Sequence, residues 1–154
     1  MRSVRTAFTF LEVMVVVVMI GILAAIVVPQ FGGITSDAKA SALKASVAGW
    51  RSGIAGYRTR QLLSGATPYP TLAQLTTAGT VLTGDFPTNP YNGKSNVQSV
   101  TLAQANARSV VNEATCGWNY YVDNSASPPA AIFYPNSDDA VEKVSGATKS
   151  ANQY

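Results

Sequence analysis

The 154-residue chain has room for one domain; 47% of it is apolar against 12% charged, with no histidine and a single cysteine, Cys116. The formal charge of +3 includes Arg2 and Arg5, and without residues 1–7 the balance is 9 basic to 8 acidic side chains. Near neutrality gives no electrostatic case for nucleic-acid binding, the lack of histidine removes the commonest general base and metal ligand, and one cysteine excludes an internal disulfide and reads as a small buried hydrophobe.

The apolar residues concentrate in Val13–Val28, which carries no charge. The polar, small-residue remainder can bury only a modest core. Three readings compete for the N-terminal MRSVRTAFTFLEVMVVVVMIGILAAIVVPQF. A secretory signal accounts for Arg2 and Arg5, but the apolar stretch is long for one and no small-x-small site in polar sequence follows it. A membrane anchor accounts for the length: Phe8 to Val28 is enough helix to cross about 30 Å of hydrocarbon, with Arg2 and Arg5 holding the N-terminus in the cytoplasm. Neither reading accounts for Glu12. A carboxylate inside an apolar stretch is expensive and needs a partner, and no cation lies within helical reach on its C-terminal side. Cleavage between Ala7 and Phe8 supplies one, the new α-amino group, and makes Glu12 the fifth residue of the mature chain.

Ala7-Phe8-Thr9-Phe10-Leu11-Glu12 resembles the class III signal of type IV pilins and type II secretion pseudopilins. The resemblance continues through the β-branched run, Gly21, Ile22-Leu23-Ala24-Ala25-Ile26, Pro29 and Phe31, and so covers residues 2–31. It implies cleavage after Ala7 by a prepilin peptidase, N-methylation of Phe8, and an assembly role for Glu12 and the Phe8 amino group. The family usually has Gly where this chain has Ala7; alanine is still small, so cleavage is retained as the expectation. Val and Ile rows with Gly and Ala gaps let helices approach closely in a lipid-like core. Gly21 and Pro29 weaken the helix between them, since Pro29 lacks the N–H that would bond back to Ala25.

Farther along, Leu43, Val47, Trp50, Ile54 and Tyr57 recur at spacings of four and three, an amphipathic helical stripe. Asp37 near its start and Arg58 and Arg60 near its end suit the helix dipole. Gly49, Gly53 and Gly56 weaken a helix and point to close approach of another element. Ser64-Gly65-Ala66-Thr67-Pro68 ends the helix. A short helix is expected over Leu72–Ala78 with Thr71 as N-cap, then a turn-rich loop at Asp85–Lys94. Strands are expected near Val97–Leu102, Trp118–Val122 and Ala131–Tyr134, with Leu102–Ala114 open between helix and strand. Trp50, Trp118 and Phe133 are the candidate core.

The expected organisation is a leader at 1–7, a transmembrane or filament-core half-helix at 8–31, an amphipathic half-helix at 32–63, and a loop-and-sheet head at 64–154. The fold class is α+β: a long N-terminal helical spine with a small C-terminal antiparallel sheet, the type IV pilin fold. Phe86-Pro87-x-Asn89-Pro90-Tyr91 and Gly117-Trp118-Asn119-Tyr120 with Phe133-Tyr134-Pro135-Asn136 resemble head segments of secretion pseudopilins, more loosely than the N-terminal match.

No catalytic constellation is present in the sequence, and the chain reads as a non-enzyme. Asp123, Asp138 and Asp139 are oxygen donors of a type that suits calcium, and major pseudopilins bind calcium in a C-terminal loop. The spacing matches no fixed calcium motif, which favours a solvated acidic turn. Arg58, Arg60 and Lys94 read as a solvated face, with no nucleic-acid partner. The function implied is a structural subunit of a pseudopilus in a type II secretion system; the alternatives are the major pilin of a surface pilus and a membrane-tethered binding protein or enzyme. The implied partners are copies of itself, a prepilin peptidase, an inner-membrane assembly platform with its ATPase, and minor pilins or pseudopilins. The implied location is the bacterial inner membrane, N-terminus in the cytoplasm, and then a periplasmic or extracellular filament.

Overall fold

A computed structural model describes residues 8–144 and 147–154, except for the side chains of residues 30–33, 143 and 144. The leader expected at 1–7, Ala7 included, lies outside the described residues. The chain divides into two compact units, Met1–Asp37 and Ala38–Tyr154. Helix α1 (Phe10–Leu63) runs through that division and through Pro29. It closes as the sequence indicates: Gly65 adopts φ +69°, and the Ala66 N–H reaches the Gln61 carbonyl at 3.0 Å. This left-handed closure satisfies carbonyls that the last turn leaves open.

In the second unit the expected stripe becomes the core. Leu43, Val47, Trp50, Ile54 and Tyr57 are all buried, together with Trp118, Tyr120 and Phe133. Trp50 stacks on Phe86 with centroids 3.7 Å apart, and Trp118 stacks on Phe133 at 5.5 Å. Aromatic pairs of this kind add about 0.5–1.5 kcal/mol beyond area burial. The three aromatic side chains expected in the core therefore all lie there.

Two short helices have reciprocal caps. In α2 (Leu72–Thr76) the Thr71 hydroxyl accepts from the Gln74 N–H while the Gln74 side chain accepts from the Thr71 N–H. Thr101 and Gln104 repeat the arrangement in α3 (Leu102–Ala107). Each cap satisfies two donors that a helix start leaves unpaired. Helix α2 stops two residues before the expected Ala78, because Thr77 turns to extended backbone. Helix α3 fills only the first part of the segment left open.

Strands β1 (Val97–Ser99), β2 (Trp118–Asp123) and β3 (Ala130–Pro135) form one sheet in that order. The expected all-antiparallel sheet needs correction. Strand β2 pairs antiparallel with β3, but β1 pairs parallel with β2, Val97 opposite Trp118. The physical reason is α3, which lies between β1 and β2 and supplies the crossover that a parallel pair requires. A second, separate ribbon, β4 (Ala140–Val144) with β5 (Ala147–Ser150), was not anticipated.

The helix glycines divide. A Cβ on Gly53 would sit 2.8 Å from the Leu82 side chain, so close approach holds there, whereas Gly49 and Gly56 have open space within the chain. Gly117 is more constrained: a Cβ there would lie 2.0 Å from the Lys94 carbonyl oxygen. Gly117→Ala should destabilise the head by about 1–3 kcal/mol through backbone displacement. Gly56→Ala should instead stabilise it by about 0.5–1 kcal/mol, since alanine is the better helix residue. Thermal unfolding of the full chain in detergent checks both signs.

Candidate functional site

The N-terminal unit presents a continuous apolar surface. Phe8 is 73% exposed, and large apolar residues from Phe10 to Val28 are 45–80% exposed. By length and composition α1 is long and apolar enough to cross a membrane, and no described residue covers that stretch. Glu12 lies in its first turn. Its N–H contacts both the Thr9 carbonyl at 3.1 Å and the Thr9 hydroxyl at 3.3 Å. Thr9-x-x-Glu12 therefore has the spacing of a capping box, and the carboxylate sits at the positive end of the helix dipole. This local role for Glu12 escaped the sequence reading, although Thr followed three residues later by Glu is its signature.

In the head, the two segments singled out by motif are held together. The Asn89 side chain donates to the Gly117 carbonyl at 2.9 Å and accepts from the Tyr91 N–H at 3.0 Å. The Trp118 indole N–H donates to the Pro87 carbonyl at 2.8 Å. Asn92 donates to the carbonyls of Cys116 and Asn136. Behind them, Asn119 and Asn136 are fully buried and bonded to one another at 2.9 Å. Asn136 also donates to the carbonyls of Val111 and Cys116 and accepts from the Val111 N–H. These amides satisfy buried and partly buried loop backbone, the condition for burying such groups. Cys116 is a free thiol and only half-buried, rather than the buried hydrophobe expected.

The three aspartates considered for calcium are not brought together. Asp123 ends β2 opposite Ala130, at the hairpin turn, whereas Asp138 and Asp139 follow the other end of β3. The six-residue strand between puts them on the order of 17 Å apart, too far to share one ion. The Asp123 carboxylate is occupied by the Ser125 hydroxyl at 2.6 Å and by the N–H groups of Ser125 and Ala126. Those bonds hold its pKa below the ordinary value. Asp139 accepts from the Ser137 hydroxyl at 2.7 Å, and Asp138 is exposed. Among the described residues no group of three or more His, Cys, Asp or Glu is placed to hold a metal ion.

Lys44 on α1 pairs with Glu142 on β4 at 2.5 Å, and the Tyr154 hydroxyl donates to the same carboxylate. The Lys149 ammonium lies 3.6 Å from the Tyr154 ring centroid. Sequence reading could not pair these residues, because 98 positions separate Lys44 from Glu142. Comparison with family models, with curated proteins and with solved structures gave no match.

The Lys44 and Tyr154 hydrogen bonds lower the Glu142 pKa, and the same Glu142 contact raises that of Lys44. A depressed carboxylate stabilises the fold above its unfolded pKa and loses that contribution as pH falls through the folded value. The Lys44 contribution, by the opposite sign, is lost only at strongly alkaline pH. Glu142→Gln should lower the melting temperature slightly at pH 7, and the difference from wild type should begin to shrink only as pH falls below the free-glutamate value of about 4.3 and vanish below the lowered folded pKa. Paired melting curves from neutral to acid pH check this.

Proposed function

We propose that the chain is a structural subunit of a type IV pilus-like filament, made as a membrane precursor, cleaved between Ala7 and Phe8, and N-methylated at Phe8. The observation that carries the reading is Glu12 at the head of an exposed apolar helix face running from Phe8 to Val28. A contiguous apolar surface of that extent is too large for a free monomer. Lipid covers it in the precursor, and copies of the same helix cover it in the filament. A capping-box position would account for a polar residue at position 12, but a glutamine would serve there as well. A charge there is accounted for by a cationic partner in a dry core, where each charge alone is costly. Cleavage creates that partner as the Phe8 ammonium, and pairing between neighbouring subunits sets the register of assembly.

Within this class we favour a pseudopilus of a type II secretion system over a surface pilus. The union of the Phe86–Tyr91 loop with Gly117, Trp118 and Asn136 supports this, since those segments carry the pseudopilin resemblance. The partners follow from the class: copies of itself, a prepilin peptidase, an inner-membrane platform with its ATPase, and minor subunits. Gly21 and Pro29 act here as places where the helix can stretch during packing. For calcium the proposal is confined to Asp138 and Asp139 with nearby carbonyls.

Intact-mass measurement of membrane-extracted protein should give a chain beginning at N-methylated Phe8; an uncleaved chain, or cleavage after Ala25, rejects the reading. Glu12→Val should still insert and be cleaved, yet form no filaments when it is the only subunit. Glu12→Gln, which keeps the hydrogen bond but not the charge, should be intermediate. Electron-microscopic filament counts, with a blot for mature subunit, decide this, and normal filaments from the valine variant would remove Glu12 as the assembly determinant. For calcium, the melting temperature should rise from chelator to millimolar calcium by mass action, and Asp138→Asn with Asp139→Asn should abolish the rise.

A further inference from the structure

Three guanidinium groups converge on one cleft of the head. Arg51 and Arg58 come from α1, two turns apart, and Arg108 comes from the C-terminal cap of α3. Ile54, Tyr69 and Ile132 contribute apolar wall to the same cleft, whose volume is about 250 Å³. Each arginine is fixed in place. Arg51 donates through Nε and Nη2 to the Phe133 carbonyl at 3.1 and 2.9 Å. The Arg58 guanidinium lies 5.2 Å from the Tyr69 ring centroid, and that of Arg108 lies 5.2 Å from the Tyr134 ring centroid. Arg108 holds a left-handed backbone, φ +53°, with its own carbonyl bonded by the Asn152 side chain at 2.7 Å.

What the cleft lacks is negative charge. Among the described residues no carboxylate pairs with any of the three arginines. The Arg108 Nη1 atom is buried and has no hydrogen-bond partner. Burial, and after it the neighbouring Arg108 charge, lowers the Arg51 pKa, and burial lowers that of Arg108. Covering apolar surface with arginine stems is ordinary, but it does not require three cations together or leave a buried donor unsatisfied, which is unfavourable.

We propose that this cleft binds a small organic anion, a carboxylate or phosphate ester carried on an apolar body, held by the guanidinium groups of Arg51, Arg58 and Arg108 that line it. Planar guanidinium forks match the oxygens of such groups and gain strength from the charge. Ile54, Ile132 and the Tyr69 ring take the apolar body. The volume is below the range typical of sites for drug-sized ligands, which limits the body to roughly one ring. Every residue of the site belongs to the Ala38–Tyr154 unit.

The test uses the full chain dispersed in detergent, with phenyl phosphate, inorganic phosphate and phenol as probes. Arginine Nε–H resonances should shift saturably with phenyl phosphate, at least about fivefold more tightly than with inorganic phosphate, and not with phenol. Arg108→Gln should weaken phenyl phosphate binding by about tenfold or more without changing the melting temperature. Arg58→Gln, at an exposed position, should weaken it about threefold and carries the test should Arg108→Gln not fold. Lys39→Gln, an exposed lysine outside the cleft, should leave binding unchanged. Non-saturating shifts, equal affinity for the two phosphates, or equal weakening by Lys39→Gln would overturn the proposal.

Discussion

The packing of one face of α1 on the β2–β3 hairpin is the contact on which the head depends. Leu43, Val47, Trp50, Ile54 and Tyr57 bury against Trp118, Tyr120 and Phe133, and little else in so small a unit removes comparable apolar area from water. The hairpin is fixed to the helix by more than packing. Arg51 of α1 anchors on the Phe133 carbonyl, and Tyr120 ties the hairpin to the segment before α2 by donating to the Pro70 carbonyl at 2.8 Å. Burial raises the Tyr120 pKa far above that of a free phenol, which favours the protonated, donating hydroxyl. From this contact the loop between Phe86 and Lys94 takes its place: Phe86 covers Trp50 on one side, and Asn89 and Asn92 tie the loop to Gly117 and Asn136 on the other.

Much of this was legible because it is local. The stripe spacing, the end of α1 at Ser64-Gly65, the Thr71 cap and the aromatic β2 and β3 all follow from neighbours within a few residues. Strands β4 and β5 were not legible. Their sequences, Ala140–Val144 and Ala147–Ser150, mix Glu142, Lys143, Thr148 and Lys149 with few apolar residues. Of their side chains described, Val141 is the one in the core, and a bulge between Ala140 and Glu142 breaks the alternation further. The parallel pairing of β1 was hidden for a related reason: it depends on whether Leu102–Ala114 is helix or strand, and six residues of helix give a weak periodic signal.

The site divides in the same way. Glu12 stood out as a charge in an apolar run, a signal that needs no tertiary information. The grouping of Asp123 with Asp138 and Asp139 rested on residue type and on the pseudopilin resemblance, and the length of the hairpin undoes it. Asn119 and Asn136 act on backbone from Ser109, Val111 and Cys116, so the motif segments that contain them were legible but their bonding was not. The arginine cleft shows the limit most clearly. Arg58 and Arg60 read alike as solvated charges, yet only Arg58 meets Arg51 and Arg108, and Arg108 occupies a left-handed position that sequence alone would assign to glycine or asparagine.

The order in which this chain leaves the ribosome gives the helix–hairpin contact a temporal cost. Arg51 and its acceptor Phe133 are 82 residues apart, so at about 5–20 residues per second the Trp50 face of α1 waits roughly 4 to 16 seconds for the strand that covers it. Throughout that interval the emerging chain carries a second uncovered apolar face besides the N-terminal one. Both are helical, and either can engage a targeting factor or chaperone while the other is still bare. The head is thus finished last, and the length of the loop segments between α1 and β3 sets how long the Trp50 face stays bare.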